Sequence, residues 1–346
     1  MSNRVNAHLG QTGNRAIYPN TMKSDLAKSS TPPAPPSGAE ATFTFAHFSD
    51  PHLSSLERVH ARELLNQRIL GYLSWRSRRR AEHKTEVLEV LLHDLTETRP
   101  QHIVVTGDLT HLGLPGECRE VSEWLHRVGA PGDVTVIPGN HDTYIAAPWE
   151  QTVGLWAPYM TSDDETLWPD AIDRFPILRI RGPVAFIGLS TAHPTPPFFA
   201  SGSIGQVQLR RLEQLLADLA TKPLLRVVLL HHPPQSEAMN WRKRLIDSAA
   251  LRTVLARHGA ELVLYGHLHY SLRAQLATPA GGIPAIGVSS ASALGHKPGR
   301  RAQYHLYRVR RTATGWELQV GVRTYAPTGD RFVSEREEYL HLPAAV

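Results

Sequence analysis

Five short polar clusters punctuate this 346-residue chain, each at the point where an apolar, β-branched run stops: Asp50-Pro51-His52, Gly107-Asp108, Gly139-Asn140-His141-Asp142, His231-His232-Pro233 and Gly266-His267-Leu268-His269. Folding alone does not account for buried strands that end in grouped Asp, Asn and His, because such side chains are costly to bury without partners. A shared metal site gives all of them a partner at once. The chain is thereby confined to folds in which several strand ends meet.

The residues between the clusters set the frame. Phe43, Phe45 and Phe48 predict a strand over Thr42–Ser49 that delivers Asp50 and His52. His102–Thr106, Val134–Ile137, Leu225–Leu230 and Glu261–Tyr265 are short buried runs that deliver Asp108, then Asn140 to Asp142, then His231, then His267. Ile177–Ile180 and Val184–Leu189 read as strands around Arg181-Gly182-Pro183. Helices are expected from Leu56 to about Arg80, over His83–Thr98 (ended by Pro100), and over Gly116–Val128, Gly205–Ala220 and Lys243–His258. Pro148–Asp173 is Trp-rich and irregular. From Ile283 onward the helices stop, and Ile283–Ser289, Gln303–Arg310 and Trp316–Tyr325 read as strands. This order predicts an α/β fold of two packed mixed sheets with helices outside, a four-layer αββα sandwich. Ligands in such folds bind at the carboxyl ends of the strands, where all five clusters fall.

Composition adds bounds. Hydrophobic residues at 41% and charged residues at 20% are ordinary for a globular chain. The single cysteine, Cys118, excludes an intramolecular disulfide and fits a reducing compartment. A net charge of +5 points mildly toward anionic partners. The chain has neither an apolar run of about 18 residues nor a signal-peptide core. The expected location is therefore cytoplasmic, with peripheral attachment to an inner membrane as a variant. Residues 1–41 are polar and end in Thr31-Pro32-Pro33-Ala34-Pro35-Pro36, which reads as a disordered tail before a domain over 42–346.

Asp50, His52, Asp108, Asn140, His231, His267 and His269 are seven candidate ligands, too many for one tetrahedral ion. They suit two ions if one carboxylate bridges. A pair of ions about 3.5–4 Å apart activates water and steadies the entering and leaving oxygens of a displacement at phosphorus. The lack of thiolates argues against a structural zinc or an iron–sulfur cluster.

The ordered pattern D-x-H, G-D, G-N-H-D, a later strand-ending His and G-H-x-H, from about Phe45 to Tyr270, resembles the calcineurin-like metallophosphoesterases. Within them it looks most like bacterial phosphodiesterases of the cyclic-nucleotide type. Each motif alone is weak, and the ordered set is strong. The resemblance implies a phosphodiesterase in which metal-bound hydroxide attacks phosphorus without a covalent enzyme intermediate. It implies Asp50, His52 and His269 on one metal, Asn140, His231 and His267 on the other, and Asp108 bridging. It places Asn140 and His141 on substrate, with His141 protonating the leaving group and Asp142 orienting His141 through a hydrogen bond. The metals implied are two divalent or mixed-valence ions drawn from Mn, Fe, Zn or Mg. The substrate implied is a phosphodiester or nucleotide-containing small molecule. His193, at a further strand end, is a candidate substrate contact, with a plain loop histidine as the simpler reading. His232 reads as structural or substrate-facing and His47 as packed.

Leu64–Arg80 is apolar with a strongly basic end and carries Tyr72 and Trp75. It reads most simply as a core-facing helix with a solvated basic end. A basic amphipathic helix can instead lie on an anionic membrane or clamp an anionic substrate. That raises an alternative function, a peripheral membrane hydrolase of a lipid-linked pyrophosphate of the UDP-2,3-diacylglucosamine type. Because it follows the first motif directly, this insert (about 56–80) is placed to overhang the site. A nuclease is weaker, since neither an appended nucleic-acid module nor a stacking array is present, and no stable nucleic-acid complex is expected. A non-catalytic scaffold conflicts with the complete ligand set. The sequence leaves the oligomeric state open.

Overall fold

The computed structural model describes residues 42–343 apart from 54, 169–173, 236–238, 280 and 297–298. The tail expected over 1–41 lies outside the described residues. The chain runs through β1 (Phe43–Phe48), two 3₁₀ turns, α1 (Arg68–Ser74), a π turn (Trp75–Arg79), α2 (Arg80–Glu82), α3 (Thr85–Thr98), β2 (His102–Val105), α4 (Pro115–Val128) and β3 (Val134–Val136). After two 3₁₀ segments come β4 (Ile177–Arg181), β5 (Val184–Gly188), α5 (Gly205–Ala220), β6 (Leu225–Leu229), α6 (Ser248–His258) and β7 (Leu262–Tyr265). The remainder is β8 (Leu272–Thr278), β9 (Gly281–Gly287), β10 (Gln303–Thr312), β11 (Gly315–Ala326) and β12 (Arg331–Pro343).

Two six-stranded mixed sheets result, in the orders β12-β11-β10-β1-β2-β3 and β4-β5-β6-β7-β9-β8. In the first, β1, β2 and β3 are parallel, and β10 to β12 extend the sheet as an antiparallel meander from β1. In the second, β5, β6, β7 and β9 are parallel, and β4 and β8 close the edges antiparallel. Strand periodicity of two sorts the side chains between layers. On β1, Phe45 meets Phe186 of β5 edge-on at 5.1 Å, while Phe48 faces the other way and meets Trp124 of α4 at 6.0 Å. On the second sheet, Val184, Phe186, Val227, Leu229, Leu262 and Leu264 join the core shared with the first sheet. Their neighbours Ala185, Ile187, Val228, Leu230, Val263 and Tyr265 pack with the leucines of α5 and α6. With α3 and α4 contributing Val87, Leu88, Leu91, Val121 and Leu125 to the first core, the layers are αββα, as expected from sequence.

Two strands escaped the sequence pattern. β8 and β12 are edge strands with one wet face, and β12 carries Glu335, Arg336, Glu337 and Glu338, so their apolar signal is weak. The helix expected over Leu56–Arg80 is broken into 3₁₀ turns, α1, the π turn and α2. The helix expected from Lys243 begins at Ser248. Its N-cap, Asp247, accepts instead from the backbone N–H groups of Ile204 (2.9 Å) and Gly205 (2.8 Å), tying α6 to the start of α5.

The turn into α4 is held by one buried carboxylate. Glu117 accepts from the backbone N–H groups of His111 (2.7 Å), Leu112 (3.0 Å) and Leu114 (3.0 Å). Burial pushes its carboxyl up to about 7, against the pull of those donors. Glu117→Ala leaves three interior N–H groups without an acceptor, and is expected to lower unfolding free energy by about 3 kcal/mol. Urea denaturation measures this; a loss below about 1 kcal/mol would mean that water or a shifted loop replaces the carboxylate.

Candidate metal centre

Parallel strands release their chains at one edge, and here both sheets do so side by side. Asp50 and His52 follow β1, Asp108 follows β2, Asn140 to Asp142 follow β3, His231 follows β6, and His267 and His269 follow β7. Backbone hydrogen bonds continue past the strands: Asp50 N–H to Gly107 C=O (2.9 Å), His52 N–H to Asp108 C=O (3.1 Å) and Gly266 N–H to His231 C=O (3.1 Å). Across the two sheets, Ala291 N–H donates to Ser49 C=O (2.9 Å). The approach is so close that a Cβ on Gly266 would lie 1.9 Å from Ser49 Oγ; within the first sheet, one on Gly139 would lie 2.3 Å from Asp108 N. Asp50, His52, Asp108, His267 and His269 all adopt positive φ, between 43° and 69°. Non-glycine residues rarely occupy that region, and such strain gathers at functional sites.

These constraints bring the seven candidate ligands into two groups that share one carboxylate. Donor atoms of Asp50, His52, Asp108 and His269 lie within 4.8 Å of one another, as do those of Asp108, His231 and His267. Asn140 Oδ1 joins the second group, 3.2 Å from His231 Nε2. Asp108 Oδ2 is 3.3 Å from His231 Nε2 and 4.0 Å from His52 Nε2, so it faces both groups.

The ring orientations test whether a cation fits. His52 donates its Nδ1–H to Thr110 C=O (2.8 Å), His231 its Nδ1–H to Thr106 C=O (2.7 Å), and His267 its Nε2–H to Lys243 C=O (3.0 Å). Each ring is therefore held with its other nitrogen aimed inward, the arrangement that backbone carbonyls impose on metal-binding histidines. The inward nitrogens face one another, His52 Nε2 to His269 Nε2 at 3.3 Å and His267 Nδ1 to His231 Nε2 at 3.3 Å. Asp50 Oδ1 is buried without a hydrogen bond and lies 3.1 Å from His269 Nε2. Inward lone pairs at such separations need positive charge between them. Burial, then neighbouring imidazoles, hold His52 and His267 neutral, the ligand-competent form. At Asp50 burial acts upward, but His269 and then His231 outweigh it and hold the carboxyl at about 2. The donor set of carboxylate, amide and imidazole suits a pair of divalent ions.

His141 lines the same cleft and its backbone N–H donates to Asp108 Oδ1 (2.7 Å). The hydrogen bond expected between Asp142 and the His141 ring is replaced by another. The Asp142 carboxylate accepts from Thr110 N–H (2.9 Å), Thr110 Oγ1 (3.0 Å) and Gly139 N–H (2.8 Å), while His141 Nδ1–H donates to His111 C=O (2.6 Å). Asp142 thus ties the third motif to the residues that follow the second, and the His111 carbonyl orients the ring. His193 is a second correction. It lines a separate cavity of about 420 Å³ with Asp142, Trp149 and Ser190, and it is absent from the lining of the cleft that holds the ligand groups. His232 is structural, bonded to Thr191 Oγ1 (2.8 Å) and Ala200 C=O (3.1 Å).

Three residues outside the motifs enter the site. His83 adds a ring nitrogen to those of His52 and His269, and its Nδ1 sits 2.9 Å from Ser292 Oγ. His111 stacks on His52 at 5.1 Å. Arg79, from the π turn of the insert, places NH1 3.1 Å from His141 Nδ1. Trp75 is buried with Leu56, Leu64, Leu112 and Leu114, so the insert is anchored in its own small core and overhangs the cleft. The basic run was visible in the sequence; that its third arginine turns inward depends on this anchoring.

Residues 43–271 match the family model described as calcineurin-like phosphoesterase. The chain is 30% identical over 259 residues to a cAMP/cGMP dual specificity phosphodiesterase of Mycobacterium tuberculosis, an alignment covering 72% of this chain and 67% of that protein. It is 30% identical over 198 residues to a probable cyclic nucleotide phosphodiesterase of Rhodococcus erythropolis, covering 56% of this chain and 58% of that one. The chain thus spans little more than half the length of that second relative. A dimetal phosphatase from Danio rerio has the same fold, with a TM-score of 0.57 at 16% identity over 87% of this chain and 99% of that chain. Matched over more than half its length, and carrying two convergent ligand groups at its strand ends, this chain belongs to the calcineurin-like phosphoesterase family of metal-dependent phosphoester hydrolases.

Proposed function

We propose that the protein hydrolyses phosphodiesters at a two-metal centre, with cyclic-nucleotide-like or broader diesters as substrates. The observation that carries this reading is the Asp108 carboxylate common to both ligand groups. The names of the bacterial relatives favour diesters over monoesters. In this reading Asp50, His52 and His269 hold one ion, Asn140, His231 and His267 hold the other, and Asp108 serves both. When bound, two such ions supply Lewis acidity and lower the pKa of a water for attack on phosphorus.

The chain's own groups do the rest. His141 has its Nδ1 hydrogen committed to the His111 carbonyl, so its ring offers Nε2 to the substrate. Burial, then Arg79, hold the ring neutral in the free protein, and the negative charge of a bound phosphodiester would favour uptake of a proton from solvent at Nε2. From there it passes to the leaving oxygen. Asn140 steadies a phosphoryl oxygen, and the His111 carbonyl, itself fixed through Glu117, keeps the ring aimed.

A second reading keeps the chemistry and changes the substrate to a lipid-linked pyrophosphate at a membrane surface. No helix among the described residues is long and apolar enough to cross a membrane. On the insert, however, Leu65, Ile69 and Leu73 are 82%, 48% and 54% exposed, beside exposed Arg62 and Arg76. This reading expects sedimentation with phosphatidylglycerol vesicles and its loss in a Leu65→Ser, Ile69→Ser, Leu73→Ser variant; equal sedimentation of both proteins, or of neither, removes it.

Two measurements test the main reading. Metal-stripped wild type is expected to take up two Mn²⁺ per chain by calorimetry and elemental analysis, and Asp108→Ala to hold fewer than one at the same free metal concentration. Two ions retained by the variant would refute the shared carboxylate. Reloaded wild type should turn over bis(p-nitrophenyl) phosphate with a kcat/KM about tenfold or more above that for p-nitrophenyl phosphate, and His141→Ala should lower kcat by about 10²–10⁴. Faster monoester turnover, or activity indifferent to metal, would overturn the assignment.

A further inference from the structure

The cleft at the ligand groups has a volume of about 470 Å³, and its lining includes Arg79, Lys243 and Arg300 as well as Arg78 and His296. These cations come from three separate parts of the chain. Arg79 is on the insert, Lys243 precedes α6, and Arg300 lies between β9 and β10. None of the three has an acid as a hydrogen-bond partner among the described residues. Arg79 NH1 rests 3.1 Å from His141 Nδ1, whose hydrogen is already given to the His111 carbonyl, so the ring offers it no acceptor. Arg300 donates to Leu268 C=O (3.3 Å) and stacks over Tyr270 at 5.1 Å. The Lys243 carbonyl is occupied by the His267 ring, and its side chain lines the cleft.

No carboxylate among the described residues lies within ion-pair distance of Arg79, Lys243 or Arg300. Glu82, the acid of the lining outside the ligand groups, accepts from Gly295 N–H (2.9 Å) through one oxygen and lies 3.8 Å from His296 Nε2 through the other. All three side chains line the same cleft. Holding like charges together in a partly buried cavity is unfavourable unless an anion completes it. One phosphate at the ligand groups engages the ions and His141, and leaves this wall of the cleft without a partner.

We propose that Arg79, Lys243 and Arg300 form a subsite for a second phosphate, so that the preferred substrate carries a further phosphoryl group beside the scissile one, as in a nucleoside diphosphate ester or another pyrophosphate-linked compound. The proposal rests on the two-metal reading for the position of the scissile phosphate. Charge-assisted hydrogen bonds from guanidinium and ammonium groups recognise a phosphate of this kind. A cyclic mononucleotide, with one anionic phosphorus, leaves the subsite unfilled.

The test is equilibrium binding, separate from turnover. AMP and its α,β-methylene diphosphate analogue, which resists hydrolysis at the P–C–P link, are titrated calorimetrically into Mn-loaded protein. Wild type is expected to bind the diphosphate analogue about tenfold or more tightly than AMP. A Lys243→Ala, Arg300→Ala variant should bring the two dissociation constants to within about threefold, and Lys243→Arg should keep the preference, which excludes a folding defect as the cause. Equal affinities in wild type overturn the proposal. So does a preference that survives in the double variant, because that is what chelation of the ions alone would produce. Failure of diester turnover with this preference intact would reject the reaction assigned above and leave the subsite standing.

Discussion

The closeness of two strand-end edges is the constraint on which everything at this site depends. Parallel strands in each sheet release their chains on one side, the gap between the sheets is narrow enough that Gly266 has no room for a Cβ against Ser49, and within the first sheet Gly139 has none against Asp108. Narrowness has a cost in backbone strain, since five of the seven candidate ligands sit at positive φ. It also has a consequence that looser geometry would not have. Four ring nitrogens and two carboxylates are brought to share one volume, a donor set suited to divalent ions.

Around that centre, the supporting groups are mostly backbone carbonyls. Thr106, Thr110 and Lys243 fix the rings of His231, His52 and His267, and His111 fixes that of His141. A carbonyl can only accept, so the ring nitrogen facing it must carry the hydrogen, and the tautomer is selected as well as the direction of the ring. This makes the loops between strand and helix part of the chemistry. Glu117, buried at the start of α4, bonds the N–H of the same His111 whose carbonyl holds His141, and so links helix capping to the orientation of the proposed acid.

The insert shows how one segment serves structure and site together. Trp75 and Leu64 bury against Leu112 and Leu114, Arg68 donates to the carbonyls of Leu112 (2.9 Å) and Gly113 (2.6 Å), and the π turn that follows carries Arg79 over the cleft. Short π segments of this kind appear frequently at functional sites.

Much of this was legible in the chain itself. Strand periodicity, helix spacing and the polar clusters at strand ends foretold the layers and the seven candidate ligands, because those features are local and each leaves its own pattern; the division of the ligands between two ions and the sharing of Asp108 were implied by the family resemblance. The edge strands β8 and β12 were not legible, since a half-wet strand loses its apolar signature. Nor were His83, His111 and Arg79, which stand outside any motif, or the true partners of Asp142 and the remote cavity of His193. Those depend on which distant residues the fold brings within about 3 Å, and hydrogen-bond geometry of that precision is decided only when the sheets pack. By itself the sequence determined the residue types and their order along the strands. Tertiary structure decided which nitrogen each ring turns inward, which carbonyl holds it there, and which arginines of a basic run reach the cleft.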